Sequence, residues 1–188
     1  MPIGYRKHKT LMTNYRRLYQ AGACYFFPVV THERRPLLFD NIERLRGAFR
    51  HARRRYPFTV EAIVVLPDHL HTLWRLPPGD DDFSTRWLLI KRYFSSGVPS
   101  GKISASMASK REKGVWQRRF WEHCIRDDDD WRQHLDYIHY NPVKHGYVAA
   151  PADWRYGSFR RAVANGWYTP DWVGPVAVFQ DTPAEGWD

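Results

Sequence analysis

Residues 58–76, FTVEAIVVL-PD-HLHTLWRL, constrain the fold more than any other stretch. Two runs rich in β-branched and aromatic residues flank Pro67-Asp68, a dipeptide that suits a tight turn and little else. The spacing predicts a β-hairpin, with strands over 58–66 and 69–76. Strand side chains alternate faces, so His69 and His71 share one face while Leu70 points to the other. Two imidazoles side by side can chelate one divalent ion, provided a third ligand arrives from elsewhere. The bland reading is two unrelated histidines, one hydrogen-bonded and one exposed, and the pair alone does not decide between these.

Other elements must cover that hairpin. ACYFFPVVT (23–31) reads as a strand, with Pro28 marking an edge position or a bulge. DNIERLRGAFRHARRR (40–55) carries Ile42, Leu45, Phe49 and Ala52 at helical spacing, and FSTRWLLIKRYF (83–94) repeats the pattern through Phe83, Trp87, Ile90 and Phe94. PPGDDD (77–82) is a loop, and 97–114 is a Gly/Ser/Lys-rich excursion of the kind that stays mobile. VWQRRFWEHCI (115–125) is the fourth strand candidate and DDWRQHLDYIHY (129–140) the third helix. The order β-α-β-β-α-β-α predicts an α+β, ferredoxin-like sandwich, with helices on one face of an antiparallel sheet. A single domain over 1–188 is expected, with its core at about 14–150 and a C-terminal extension at about 151–188.

The third helix offers the missing ligand. Trp131, Leu135 and Ile138 form one stripe, the expected buried face. Tyr137 and Asn141, four apart, share a face at its rim, whereas Tyr140 falls roughly opposite the stripe and should look outward. Pro142 is expected to stop the helix just after Asn141, leaving that amide free to swing toward a metal. A tyrosine that merely packs and an asparagine that merely caps would fit equally well.

Charge narrows the partner. Lys and Arg total 29 against 20 Asp and Glu, a formal net charge of +9, which favours a polyanion. Nucleic acid is preferred over an anionic membrane, because no apolar run approaches about 18 residues. The basic N-terminus has no apolar stretch after it and so is not a secretory signal. Cys24 and Cys124 stand far apart, outside any Cys-x-x-Cys spacing, as buried thiols of a reduced cytoplasm would. Arg16, Arg17, Lys91, Arg92, Arg118 and Arg119 are candidate DNA contacts, and Arg53 to Arg55 form a further basic cluster. Trp116, with Phe120 and Trp121, alternates with Arg118 and Arg119 as a set of stacking platforms. For any single one of these residues, a solvated arginine or a packed aromatic is the simpler reading. The Asp127–Asp130 run is expected to cap the third helix rather than to bind metal. Glu122 and His123 could orient the site or simply pack.

These residues carry a resemblance. PDHLH, followed some 60 residues later by HLDYIHYNPVKHGYV, resembles the HUH single-tyrosine transposases, where U is a hydrophobic residue. NYRRLYQAGACYFFPVVTHERRPLLF, VVLPDHLHTLWRLPPGDDDFSTRW, WQRRFWEHCIRDDDD and DWRYGSF are similar to a bacterial branch, the REP-associated tyrosine transposases. The match runs from about residue 14 to about residue 172. It departs at Pro28, where this branch more often has Thr, and in the longer 97–114 excursion. The resemblance implies that His69, His71 and Asn141 bind a divalent metal, Mg²⁺ or Mn²⁺ ahead of zinc, and that Tyr137 is the nucleophile. It also implies a metal-dependent single-stranded DNA endonuclease and strand transferase. Such an enzyme nicks and rejoins hairpin-forming palindromic repeats through a 5′-phosphotyrosine, with no nucleotide cofactor, as a cytoplasmic, nucleoid-associated protein that acts as a monomer, with a homodimer the alternative. Two other classes fit the residues less well. A histidine-triad nucleotide hydrolase needs a third alternating histidine, and Thr72-Leu73 follow instead. A domesticated DNA-binding protein without catalysis would not need all four chemical residues.

Overall fold

A computed structural model describes residues 17–174. Its frame is a four-stranded antiparallel sheet in the order β2-β3-β1-β4. The strands are β1 (Cys24–Val30), β2 (Thr59–Val65), β3 (His69–Arg75) and β4 (His123–Cys124). Helices α1 (Ile42–Arg55) and α2 (Phe83–Ser96) make the two crossovers of the expected ferredoxin-like order. A short α3 (Ala105–Ser109) lies within the Gly/Ser/Lys-rich excursion of 97–114, and α4 (Asp128–Lys144) and α5 (Phe159–Ala164) follow β4.

The hairpin forms as read, with Leu66 N–H donating to His69 O at 2.8 Å across the Pro67-Asp68 turn. Side-chain alternation then builds two cores. Tyr25, Phe27, Val29, Leu70 and Trp74 pack under α1 and α2, where Trp74 stacks on Trp87 at 4.4 Å. Phe26, Ala62, Val64 and Leu73 face Leu135 and Ile138 of α4 on the other side. Helices on one face only is therefore corrected: α1 and α2 cover one face and α4 the other. Leu135 and Ile138 are wholly buried, and an apolar stripe of that kind needs a surface that α1 and α2 leave open.

Two further expectations change. The fourth strand over 115–125 shrinks to His123–Cys124 paired with Tyr25 and Phe26, plus an isolated bridge from Trp116 to Thr31. Pro28 explains the gap. Cys24 O and Val30 O both accept from the β4 side, from Ile125 N–H and Gln117 N–H, so Pro28 turns its donorless nitrogen to that side too. An internal strand thereby acquires a local edge where proline costs nothing. The third helix does not stop at Pro142 but runs through it to Lys144. Asp127 Oδ1 caps its start by accepting from Asp130 N–H, as expected of the acidic run.

The segment after α4 returns to the sheet. Val65 N–H donates to Tyr156 O and Ser158 N–H to Ile63 O, covering the outer edge of β2. Among the described residues no helix is long and apolar enough to cross a membrane.

Candidate active site

His69 and His71 lie side by side on the α4 face of β3, both buried, with ring centroids 5.1 Å apart and planes nearly perpendicular. His69 Nδ1 sits 2.6 Å from Asp68 Oδ1. A carboxylate can only accept there, so Nδ1 carries a proton and donates, and Nε2 is the ring nitrogen turned to the site for a ligand. Burial works to raise the Asp68 carboxyl, but the hydrogen bond from His69 and the ion pair with Arg34 outweigh it, leaving it below the usual carboxylate range. Glu33 and Arg34 both adopt left-handed backbone (φ 53° and 49°), uncommon for residues with a Cβ, in the turn that carries Arg34 to Asp68.

His71 is held differently. Neither of its ring nitrogens has a hydrogen-bond partner. Burial, then the nearby His69, His145, Lys144 and Arg34, drive its pKa well below the ordinary imidazole value. It is therefore neutral, with a lone pair to offer. Asn141 is fully buried and its amide oxygen and nitrogen are likewise without partners. Leaving such groups bare costs about 1–3 kcal/mol each, and buried polar atoms of that kind point to something that binds them. Two imidazoles and one amide oxygen are donors that suit a divalent cation with positions left open.

Tyr137 completes the group. Its ring lies 5.1 Å from that of His71 and 5.9 Å from Phe26, and it is buried one helical turn before Asn141. Tyr140 points elsewhere: a Cβ on Gly174 would meet Tyr140 Cε2 at 2.6 Å. The continued helix also brings up two residues the sequence reading missed. Lys144 Nζ lies 5.4 Å from the Tyr137 ring centre, and the His145 ring is 5.4 Å from that of His69. Both were legible at seven and eight residues beyond Tyr137, had the helical count not ended at Pro142.

A second cluster lies beyond Phe26. Asp130 Oδ2 accepts from His123 Nε2 at 2.8 Å and from the backbone and side chain of Arg126, while His134 Nδ1 bonds Asp130 O at 2.8 Å. Burial opposes ionisation of Asp130, yet His123 and Arg126 bring its pKa down to about 2. Donor atoms of His123, Asp130 and His134 all lie within 4.8 Å of one another, a grouping able to hold a metal ion. His123 is thus a partner of Asp130, and Glu122 lies 3.6 Å from Arg17 in an ion pair.

The candidate DNA contacts differ in burial and in partners. Arg16 lies outside the described residues. Arg17 reaches Ser84 Oγ and lies 4.5 Å over Phe120. Lys91 donates to Gln117 O and sits 5.1 Å over the same ring; burial and the Arg17 charge bring its pKa down to about 7. Trp116 is buried against Phe94. Arg118 is tied to Glu112 and to Ser106 O, while Arg92 and Arg119 are exposed.

No protein-family model matches the chain. Curated relatives do. The REP-associated tyrosine transposase of Escherichia coli K12 is 45% identical over 169 residues, 89% of this chain and 95% of that protein. A Haemophilus influenzae protein named for the same activity is 46% identical over 166 residues, 87% and 94% of the two chains. A solved structure of a REP-associated tyrosine transposase bound to a REP hairpin superposes with a TM-score of 0.75 at 44% identity, covering 90% of this chain and 96% of the other. With identity of this order across nearly the whole length, the chain belongs to the REP-associated tyrosine transposases, enzymes that act on DNA.

Proposed function

We propose that this transposase nicks and rejoins single-stranded DNA beside hairpin-forming palindromic repeats, using Tyr137 as nucleophile. The observation that carries the reading is the Tyr137 ring 5.1 Å from His71, an imidazole whose two nitrogens are both unpartnered. The family and the presence of histidine and aspartate clusters favour a divalent metal, which we take to be Mg²⁺ or Mn²⁺ held by His69, His71 and Asn141. When bound, such an ion polarises the scissile phosphate and offsets its developing charge.

The chain's own groups do the rest. Tyr137 Oη attacks phosphorus, the bond to the 3′-oxygen breaks, and the phenolic proton is lost as the 3′-oxygen gains one. A 5′-phosphotyrosine and a free 3′-hydroxyl result. Phosphodiester energy is retained in the new bond, so a second 3′-hydroxyl can displace Tyr137 without a nucleotide cofactor. Lys144, beside the ring, favours the phenolate character that develops during attack. Asp68 fixes the His69 tautomer and so acts as a positioning residue. Arg17, Lys91, Arg92, Trp116, Arg118 and Arg119, with Arg16, are proposed to follow the strand. The chain is read as one transposase domain acting as a monomer on the bacterial nucleoid.

The test is to map cleavage on single-stranded palindromes from the source genome. The reading expects one discrete nick beside the hairpin, lost in excess chelator and in His69→Ala and His71→Ala proteins that still fold. Undiminished cleavage in chelator contradicts it.

A further inference from the structure

A groove runs along the opposite face of the sheet from His69 and His71, between α1 and the covered edge of β2. It encloses about 280 Å³. Arg46, Arg50 and Arg53 form one wall, Arg155 rises from the other, and Val60 and Ile63 are in the floor. A second hollow of about 260 Å³ continues it past Arg54 and Pro57, sharing Arg50 and Arg53.

Charge and shape argue for one kind of occupant. The three wall arginines recur at i, i+4 and i+7, so they rise about 10 Å along α1, close to three base-pair steps of about 3.4 Å. All four are exposed. Arg46 is paired with the exposed Glu43, and Arg53 donates through Nε to Phe58 O, which steadies its fork. Arg155 lies 4.9 Å over the Tyr156 ring. Guanidinium groups of this kind suit phosphate oxygens better than any other common anion, because the planar fork can bind two at once.

The floor then separates duplex from single strand. Single-strand channels stack bases on open aromatic faces. Here the aromatic residues are already engaged: Tyr156 stacks on Phe39 at 4.4 Å and is edged by Trp154, and Phe49 and Phe58 are buried against Trp74, while Val60 and Ile63 are aliphatic. Such a site reads backbone and not bases. We infer that this arginine-lined groove docks the phosphate backbone of the duplex stem of a DNA hairpin, while the α4 face handles the adjoining single strand. The inference rests on the reading of the chain as a hairpin-directed transposase.

The test uses the full chain and fluorescently labelled DNA: a hairpin with a single-stranded flank, and an unstructured strand of the same length. Arg50→Glu with Arg155→Glu places two charge reversals at exposed positions, and circular dichroism with thermal melting checks the fold. Hairpin affinity should fall at least tenfold and its salt slope should drop by about 1–2, with the unstructured strand affected less than threefold. Hairpin affinity within twofold of the parent, or an equal loss on both DNAs, overturns the proposal. Failure of the parent protein to nick hairpin DNA would overturn the enzymatic reading instead, and the binding comparison would still decide the groove.

Discussion

The Tyr137 ring stands almost perpendicular to that of His71, at 82° and 5.1 Å between centroids. That relationship joins the two halves of the site, because His71 belongs to β3 and Tyr137 to α4. It depends on α4 keeping its place on the sheet.

Leu135 and Ile138 provide that anchorage. Both are wholly buried against Phe26, Ala62 and Leu73. Leu135→Ala should cost about 2–5 kcal/mol, read as a lower urea midpoint with little change in slope. It should also slow cleavage, since displacement of a nucleophile by about 1 Å can cost a hundredfold in rate. A loss below about 1 kcal/mol would mean that α4 is held by something else.

His71 should be a liability to the metal-free fold. Its buried nitrogens have no partner, and replacing such a group with an apolar one of similar volume removes the desolvation cost. His71→Leu is expected to raise the melting temperature in chelator, by an amount equivalent to about 1 kcal/mol, while removing cleavage. Thermal unfolding with and without chelator checks this; a destabilised variant in chelator would show that His71 is a packing residue.

Asp68 should act through His69. Asp68→Asn removes the carboxylate that accepts from Nδ1, and losses of this kind weaken metal affinity by about 10–100-fold. Calorimetric titration with Mn²⁺ reads the effect directly. An unchanged affinity would remove Asp68 from the site.

Lys91 predicts a pH dependence. Burial first, and then Arg17, bring its folded pKa from 10.5 to about 7. Between those values the unfolded chain holds a proton that the folded chain has released, so stability rises with pH, by at most about 1.4 kcal/mol per unit. The penalty is fully present below about pH 7. Above about pH 9, burial of Cys24, which keeps its thiol protonated, works in the opposite direction. Denaturation midpoints at pH 7 and 8.5 should therefore rise in the parent and stay level in Lys91→Met. A falling midpoint in the parent would contradict the assignment.

Much of this was legible in the chain. Pro67-Asp68 between two β runs gave the hairpin, and alternation put His69 and His71 on one face. Helical arithmetic separated Tyr137 from Tyr140, and the structure turns Tyr140 toward Gly174. What escaped had local causes. Pro142 reads as a stop, yet the preceding residues stay helical because α4 is fixed by its buried stripe, and tertiary packing overrides a local penalty. Lys144 and His145 were lost with that turn. The strand at 115–125 collapsed to two residues because Pro28 cannot donate to it. The second helical face was hidden because the sequence shows that α4 is amphipathic but not which side of the sheet it meets. Asp68, read only as a turn residue, was missed because its link to His69 is a side-chain contact with no periodicity to reveal it.

The proposed active site requires that Tyr137 form the covalent bond to DNA. The direct measurement incubates parent, Tyr137→Phe and Tyr140→Phe proteins with a cleavable single strand carrying the hairpin, in Mg²⁺ or Mn²⁺. Denaturing gels then resolve the adduct, and peptide mass locates its attachment. The parent and Tyr140→Phe proteins should form the adduct, and Tyr137→Phe should bind the DNA without forming it. Recovery of DNA on Tyr140, or an adduct in the Tyr137→Phe protein, would contradict the proposed active site.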